Sequence, residues 1–343
     1  MSRPLGPSPA AQVGDRLILY TAGRLAAKRG ARTAEAMLRF QPDRVRAVLD
    51  PPHAGRRLGD VCPWFSDADT PVIGSLAAAA AMGETVVVGF APDGGAFSTV
   101  ERALLTDALT MGLRVVNGLH ESLGPAAMNL RAFDPADRSL GRGLEARSLR
   151  ILTVGTSAGV GKMTTTVLLT AALRARGCRA EWLATGQTGL LLQGFGRVVD
   201  AIPVDFVPGV LESLLTRMES DHEVIVVEGQ GSVFHPAYAP SALALLHTIR
   251  PRHLVLGHRL GQQSHRGFGG TLPTLEQAVA GHEKLADALG FDCTVLSISL
   301  DSSSVDQAVY KRERLAIERR LGVPCCDPLR ESPAHLISTL PAP

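Results

Sequence analysis

The sequence predicts an α/β protein made of two successive parallel-sheet domains. Three observations predict it. The chain has 343 residues, more than a single hydrophobic core ordinarily supports. Short continuous apolar runs alternate with longer helical patterns, as expected of strands buried on both faces between covering helices. A polar, irregular stretch over 124–148 interrupts this alternation, so the two series belong to separate domains.

In the first series, 16–21 (RLILYT), 45–49, 85–89 (TVVVG) and 113–116 read as strands. Helical patterns lie between them at 33–40, 76–82 (Ala-rich) and 100–111. The turn at 91–96 carries Pro92, Gly94 and Gly95. The second series places strands at 149–154, 180–183, 223–227, 253–256 and 293–299. Its helices fall at 162–176, 209–218, 241–249, 274–289 and 305–321. The expected division is a flexible tail over 1–14, an N-terminal domain over 15–135, a linker over 136–148 and a second domain over 149–343.

Composition narrows the function. Hydrophobic residues are 45% and charged residues 20%, which fits a folded chain rather than a disordered one. Aromatics are 4%, so the core must rest on Ala, Val and Leu. A formal charge of +2 argues against nucleic acid as a partner. The basic run at Lys311, Arg312, Arg314, Arg319 and Arg320 sits in a helical pattern and reads as a solvated face. The five cysteines have no metal-clip or redox spacing and suit a reducing, cytoplasmic setting. The first residues lack the basic start and apolar core of a signal peptide. No apolar run reaches the roughly 20 residues that span a bilayer. A small-molecule substrate and a homo-oligomer, with no membrane or nucleic-acid partner, are therefore expected.

The segment LRILTVGTSAGVGKMTTTVLLTAALRARG carries the strongest signal. An apolar strand runs into a turn bearing Gly155, Gly159 and Gly161, and Lys162 then opens a helix. Such a turn aims successive backbone N–H groups at one point, and the helix start adds its positive dipole end. The lysine supplies a mobile charge for outer phosphates. The expected cradle is Gly155, Thr156, Ala158, Gly159, Val160, Gly161, Lys162, Met163 and Thr164. The pattern G-T-x-x-x-V-G-K departs from the strict phosphate-loop spacing. Met163 also stands where a metal-binding hydroxyl usually follows the lysine, so Thr164 is the candidate hydroxyl for Mg²⁺. This variant resembles the loop of dethiobiotin synthetase and related amidoligases.

Glu228 ends the apolar strand of HEVIVVEGQGSVFHP, where open parallel sheets bind ligands. An acid there can hold Mg²⁺ or take part in catalysis. Gln187 and Thr188 in ATGQTG, with Gln230 and His235, are candidate substrate-binding groups. Asp200 is a candidate second Mg²⁺ ligand and Asp205 a candidate base, while a surface or helix-cap role stays open for both. Arg259 ends another strand and is a candidate stabiliser of transition-state charge. His265 and Arg266 lie in the glycine-rich GQQSHRGFGG, which reads as a lid or a plain loop.

Taken together, GTxxxVGKMTT, ATGQTG, VDFVPG and EGQGSxFHP resemble a bacterial two-domain family that includes the D-glutamate N-acetyltransferase DgcN. GFAPDGG and VVNGLHESL extend the resemblance over nearly the whole chain. It implies a Rossmann-like N-terminal domain, a P-loop NTPase-type C-terminal domain and an amino-acid-like substrate. The amidoligase likeness implies ATP and Mg²⁺, with Lys162 on the γ-phosphate and Glu228 with Thr164 on the metal. The favoured expectation is an ATP-dependent carboxylate–amine ligase acting through an acyl phosphate. The alternative is an N-acetyltransferase of D-glutamate or a related amino acid using acetyl-CoA.

Overall fold

Both strand series form six-stranded, all-parallel sheets. The computed structural model describes residues 5–6, 8–27, 29–92, 94–143 and 145–341. The chain divides into two compact units.

The first unit takes in 8–133 and, after a long excursion of the chain, 187–201. Its elements are β1 (Leu17–Tyr20), α1 (Arg32–Phe40), β2 (Val45–Leu49), α2 (Leu58–Val61) and β3 (Val72–Ile73). There follow α3 (Leu76–Met82), β4 (Thr85–Val88), α4 (Thr99–Thr110), β5 (Arg114–Asn117) and β6 (Met128–Asn129). The strand order β3-β2-β1-β4-β5-β6 is that of a doubly wound Rossmann sheet, reversing direction between β1 and β4. Ile18, Val86, Leu105 and Val115 pack in its core. Each such side chain stabilises the fold by about 1.5–3 kcal/mol through loss of apolar surface from water. Helix α4 starts where Ser98 Oγ accepts from Glu101 N and Ser98 N donates to the Glu101 carboxylate at 2.8 Å.

The second unit takes in 5–6, 134–186 and 202–341. It holds β7 (Leu149–Gly155), α5 (Lys162–Ala175) and β8 (Ala180–Leu183). The next helix, α6 (Gln187–Gln193), belongs to the first unit. The second unit resumes with α7 (Val207–Met218), β9 (Val224–Val227), α8 (Ala239–Ile249) and β10 (His253–Arg259). It ends with α9 (Leu275–Ala288), β11 (Thr294–Asp301), α10 (Gln307–Leu321) and β12 (Cys325–Cys326). The order β12-β11-β10-β7-β9-β8 puts β7 in the middle of the sheet, so its C-terminal end opens between β9 and β10.

Two expectations from the sequence change. Residues 1–4 and 7 of the expected tail lie outside the described residues. From Pro9 to Gln12 the chain forms a 3-10 turn, and Leu5, Ala10 and Val13 are buried, so this stretch packs rather than frays. The linear division also fails at 187–201. Thr188 Oγ1 lies 2.8 Å from Thr33 Oγ1, and Gln41 Nε2 donates to Leu192 O at 2.8 Å, fixing α6 on the first unit. No helix among the described residues is long and apolar enough to cross a membrane.

Candidate functional site

The site is built in the second unit at the C-terminal end of β7. Gly161, which caps α5, has φ 91° and ψ 12°, a left-handed conformation that side chains disfavour. This turn sets the helix axis toward the loop, and the N–H groups of its first turn have no acceptor one turn back. Lys162 is buried, and its Nζ donates to Ser157 O at 3.1 Å, folding the ammonium back over the loop. Burial lowers its pKa to about 8, against the opposing pull of the Glu228 charge.

Neighbouring segments brace the loop. Thr156 N donates to Gly257 O at 3.0 Å, and Thr156 Oγ1 lies 3.1 Å from His258 Nδ1. Burial pushes His258 down to about 4, so its ring is neutral at pH 7. Ser157 Oγ lies 3.0 Å from His265 Nδ1. The expected cradle omits Ser157; its partner lies 108 positions away, beyond any local pattern. Arg259 donates to Gly159 O and to Asp301, the latter at 3.0 Å. Arg259 is thus a strut that holds the loop.

Glu228 follows β9 and is 4% exposed. Its Oε2 accepts from Thr185 N at 3.0 Å and Gly186 N at 3.1 Å. Burial raises its pKa, while these two amides, Gln230 and the Lys162 charge oppose the shift. Gln230 Nε2 donates to Thr185 Oγ1 at 3.2 Å, so Gln230 lies in this same pocket wall. Gly229 N donates to Thr153 Oγ1 at 2.9 Å, locking the turn after Glu228 to β7.

His235 is 2% exposed and sits in an aromatic box. Tyr238 stacks on it at 4.6 Å, and His265 and Phe268 meet it edge-on at 4.7 and 4.8 Å. The glycine-rich segment after β10 therefore packs on both the loop and His235 through His265.

The remaining expected residues have other surroundings within their own units. Gln187 and Thr188 lie on α6 of the first unit, where Arg131 donates to Gln187 Oε1 at 3.1 Å. Asp200 is ion-paired to Arg131 in that unit. Asp205 is exposed in a 3-10 turn (Val204–Phe206). Thr164 and Met163 are half-buried in the first turn of α5. Among the described residues no group of three or more His, Cys, Asp or Glu is placed to hold a metal ion. Of the expected Mg²⁺ ligands, Asp200 is engaged by Arg131 and Glu228 Oε2 by two backbone amides.

Comparison with known proteins places this geometry. Residues 137–337 match the P-loop domain described as "Domain of unknown function (DUF1611_C)". Residues 51–132 match the Rossmann-like domain described as "Domain of unknown function (DUF1611_N)". A D-glutamate N-acetyltransferase from Pseudoalteromonas sp is 35% identical over 282 residues, covering 78% of this chain and 84% of that protein. Another from Tritonibacter scottomollicae is 30% identical over 325 residues, covering 91% and 94%. The crystal structure of a DUF1611 family protein from Anabaena variabilis ATCC 29413 superposes with a TM-score of 0.86 at 30% identity, covering 95% of this chain and 98% of that one.

These relatives correct the expectation of ATP and Mg²⁺. Both are named for acetyl transfer rather than for ligation, and the matches cover 84% and 94% of their lengths. The phosphate loop misled because it grips an anion without reading what the anion is attached to. With both domains matched and the crystal structure covered end to end, the chain belongs to the two-domain DUF1611 family, a Rossmann-like domain followed by a P-loop domain.

Proposed function

We propose that this protein is an N-acetyltransferase that moves an acetyl group from acetyl-CoA to the amino group of D-glutamate or a closely related acidic amino acid. The observation that carries this reading is the near-full-length likeness to two proteins named D-glutamate N-acetyltransferase. The site of the second unit supports it with two matching parts, an anion cradle and a dry carboxyl group.

Acetyl-CoA is a substrate in this scheme and supplies an activated thioester. Its phosphates suit the loop amides and Lys162, whose ammonium now rests on the weaker acceptor Ser157 O. The amine nitrogen forms a bond to the acetyl carbon, the carbonyl pair moves to oxygen and returns, and the C–S bond breaks with its pair on sulfur. The proton lost from the amine ends on the departing thiol. Glu228 is the proposed carrier of that proton. Burial raises its pKa, which makes the carboxylate a stronger base than one in water. The amides of Thr185 and Gly186 hold Oε2, which fixes the direction of the other oxygen.

The test is thiol release from acetyl-CoA with purified protein, with and without D-glutamate and without nucleotide. Acceptor-dependent thiol release with N-acetylglutamate as product is expected. No release with any acidic amino acid of either hand would overturn the reading.

A further inference from the structure

His235 invites assignment as a general base, but its hydrogen bonds point the other way. Its Nδ1 accepts from Ala237 N at 3.2 Å and from Tyr238 N at 3.3 Å. A ring nitrogen that accepts from backbone N–H groups carries no proton, so the single proton of the neutral ring is on Nε2. That nitrogen is left without a lone pair for proton abstraction. Among the described residues no group accepts from Nε2.

The surroundings keep the ring neutral. His235 is 2% and His265 3% exposed, and Tyr238 and Phe268 complete the box. The titratable groups facing it are Tyr238 on its own loop, His265 from the segment after β10, and Lys162 from α5. Burial, His265 and Lys162 all push its pKa down. The ring also lies close to the phosphate loop, because His265 touches both His235 and Ser157.

We infer that His235 is a fixed, neutral hydrogen-bond donor whose Nε2–H stabilises the oxyanion formed on the acetyl carbonyl as the amine attacks. This role rests on the acetyltransferase reading. A neutral imidazole suits it because its dipole is already oriented before charge develops, and no proton is lost to the oxyanion. Tyr238, His265 and Phe268 cover the ring, which is 2% exposed, and that burial strengthens its dipole.

Two substitutions separate this role from a structural one. His235→Asn keeps an acceptor for the Ala237 and Tyr238 amides but has no donor at the Nε2 position. It should keep its Tm and its KM for acetyl-CoA while kcat falls by about 10²–10³. His235→Gln puts an amide N–H near Nε2 and should stay within roughly tenfold of the parent kcat, on the same scale. A second readout needs no turnover. Nitrogen NMR of ¹⁵N-histidine-labelled protein, assigned by difference with His235→Asn, should show a neutral ring protonated on Nε2 at pH 7.5. A parent-like kcat in His235→Asn overturns the inference. So does a His235 signal that becomes imidazolium between pH 6 and 7, or one protonated on Nδ1. If the parent protein transfers no acetyl group, the acetyltransferase reading and the oxyanion role fail together, while the nitrogen shifts still decide the tautomer.

Discussion

Gly229→Ala should destabilise the second unit and disable the site together. Gly229 follows Glu228 directly, against the middle strand β7. A Cβ at this position would overlap the carbonyl oxygen of Thr153, stand 2.8 Å from its carbon and 3.2 Å from Lys162 Cδ. The overlapped atoms are backbone, so no rotamer relieves the clash. Strand and turn must separate, and the Gly229 N–H to Thr153 Oγ1 bond of 2.9 Å is lost with them. Overpacking of this severity costs about 3 kcal/mol or more. At about 2–4 °C per kcal/mol for a unit of this size, Tm should fall by roughly 6–12 °C. The same movement tilts Glu228 away from the amides of Thr185 and Gly186, so turnover should drop even below the melting range. Gly290→Ala serves as the control. Gly290 has φ 81°, and a Cβ added there would meet nothing within 4 Å, so it carries backbone strain alone, about 1–2 kcal/mol. Differential scanning fluorimetry of the three proteins, with turnover measured at 20 °C, is the assay. A Tm for Gly229→Ala within about 2 °C of the parent, the shift for less than 1 kcal/mol, would refute the placement of this turn against β7.

Two further outcomes follow from the charges at the site. Lys162 has a pKa near 8, below the usual lysine value, so the unliganded protein loses this charge as pH rises through about 8. Affinity for CoA should fall above that pH, by up to about tenfold per unit, and calorimetric titrations at pH 7, 8 and 9 measure it; equal affinities across the series would contradict the role of Lys162. Glu228→Gln keeps a carbonyl oxygen for the Thr185 and Gly186 amides but cannot carry a proton. Its kcat should fall by about 10²–10⁴ while the dissociation constant for CoA stays near the parent value; an active Glu228→Gln enzyme would remove the proton carrier from the scheme.

The two sheets were legible because their strands are buried on both faces and so appear as unbroken apolar runs. Strands β3, β6 and β12 were not, since two residues carry no periodicity. Helix α6 was missed because Gly186 and Gly189 punctuate its start like a turn. What fixes it is the Thr33 to Thr188 contact, 155 positions apart in the chain. The phosphate loop could be read locally, since its function is its local backbone shape. The surroundings of Asp200 could not, because its partner Arg131 is 69 positions away. The choice between ATP and acetyl-CoA was illegible for a different reason: both carry phosphates, and backbone amides do not tell one from the other. The tautomer of His235 was equally hidden, because it depends on the fold of the loop at Ala237 and Tyr238.

On the acetyltransferase reading, a phosphate loop that transfers no phosphoryl group has a definite use. On that reading the loop grips the donor's phosphates rather than its reacting carbonyl, so binding energy there can hold the thioester in register with Glu228. The expectation concerns a donor cut down to acetyl-pantetheine, which keeps the same thioester but lacks the phosphoadenosine end. If the grip only recruited the donor, truncation would raise KM and leave kcat alone at saturation. If it orients the carbonyl, kcat should fall as well, and kcat/KM should drop by at least about 10². Lys162→Met should lose most of its preference for acetyl-CoA over the short donor, because the truncated donor never used the lysine. Steady-state kinetics with both donors on both proteins resolve the question. Equal kcat/KM for the two donors on the parent protein would mean that the loop holds something other than the acetyl donor, and the assignment of this cradle would fall with it.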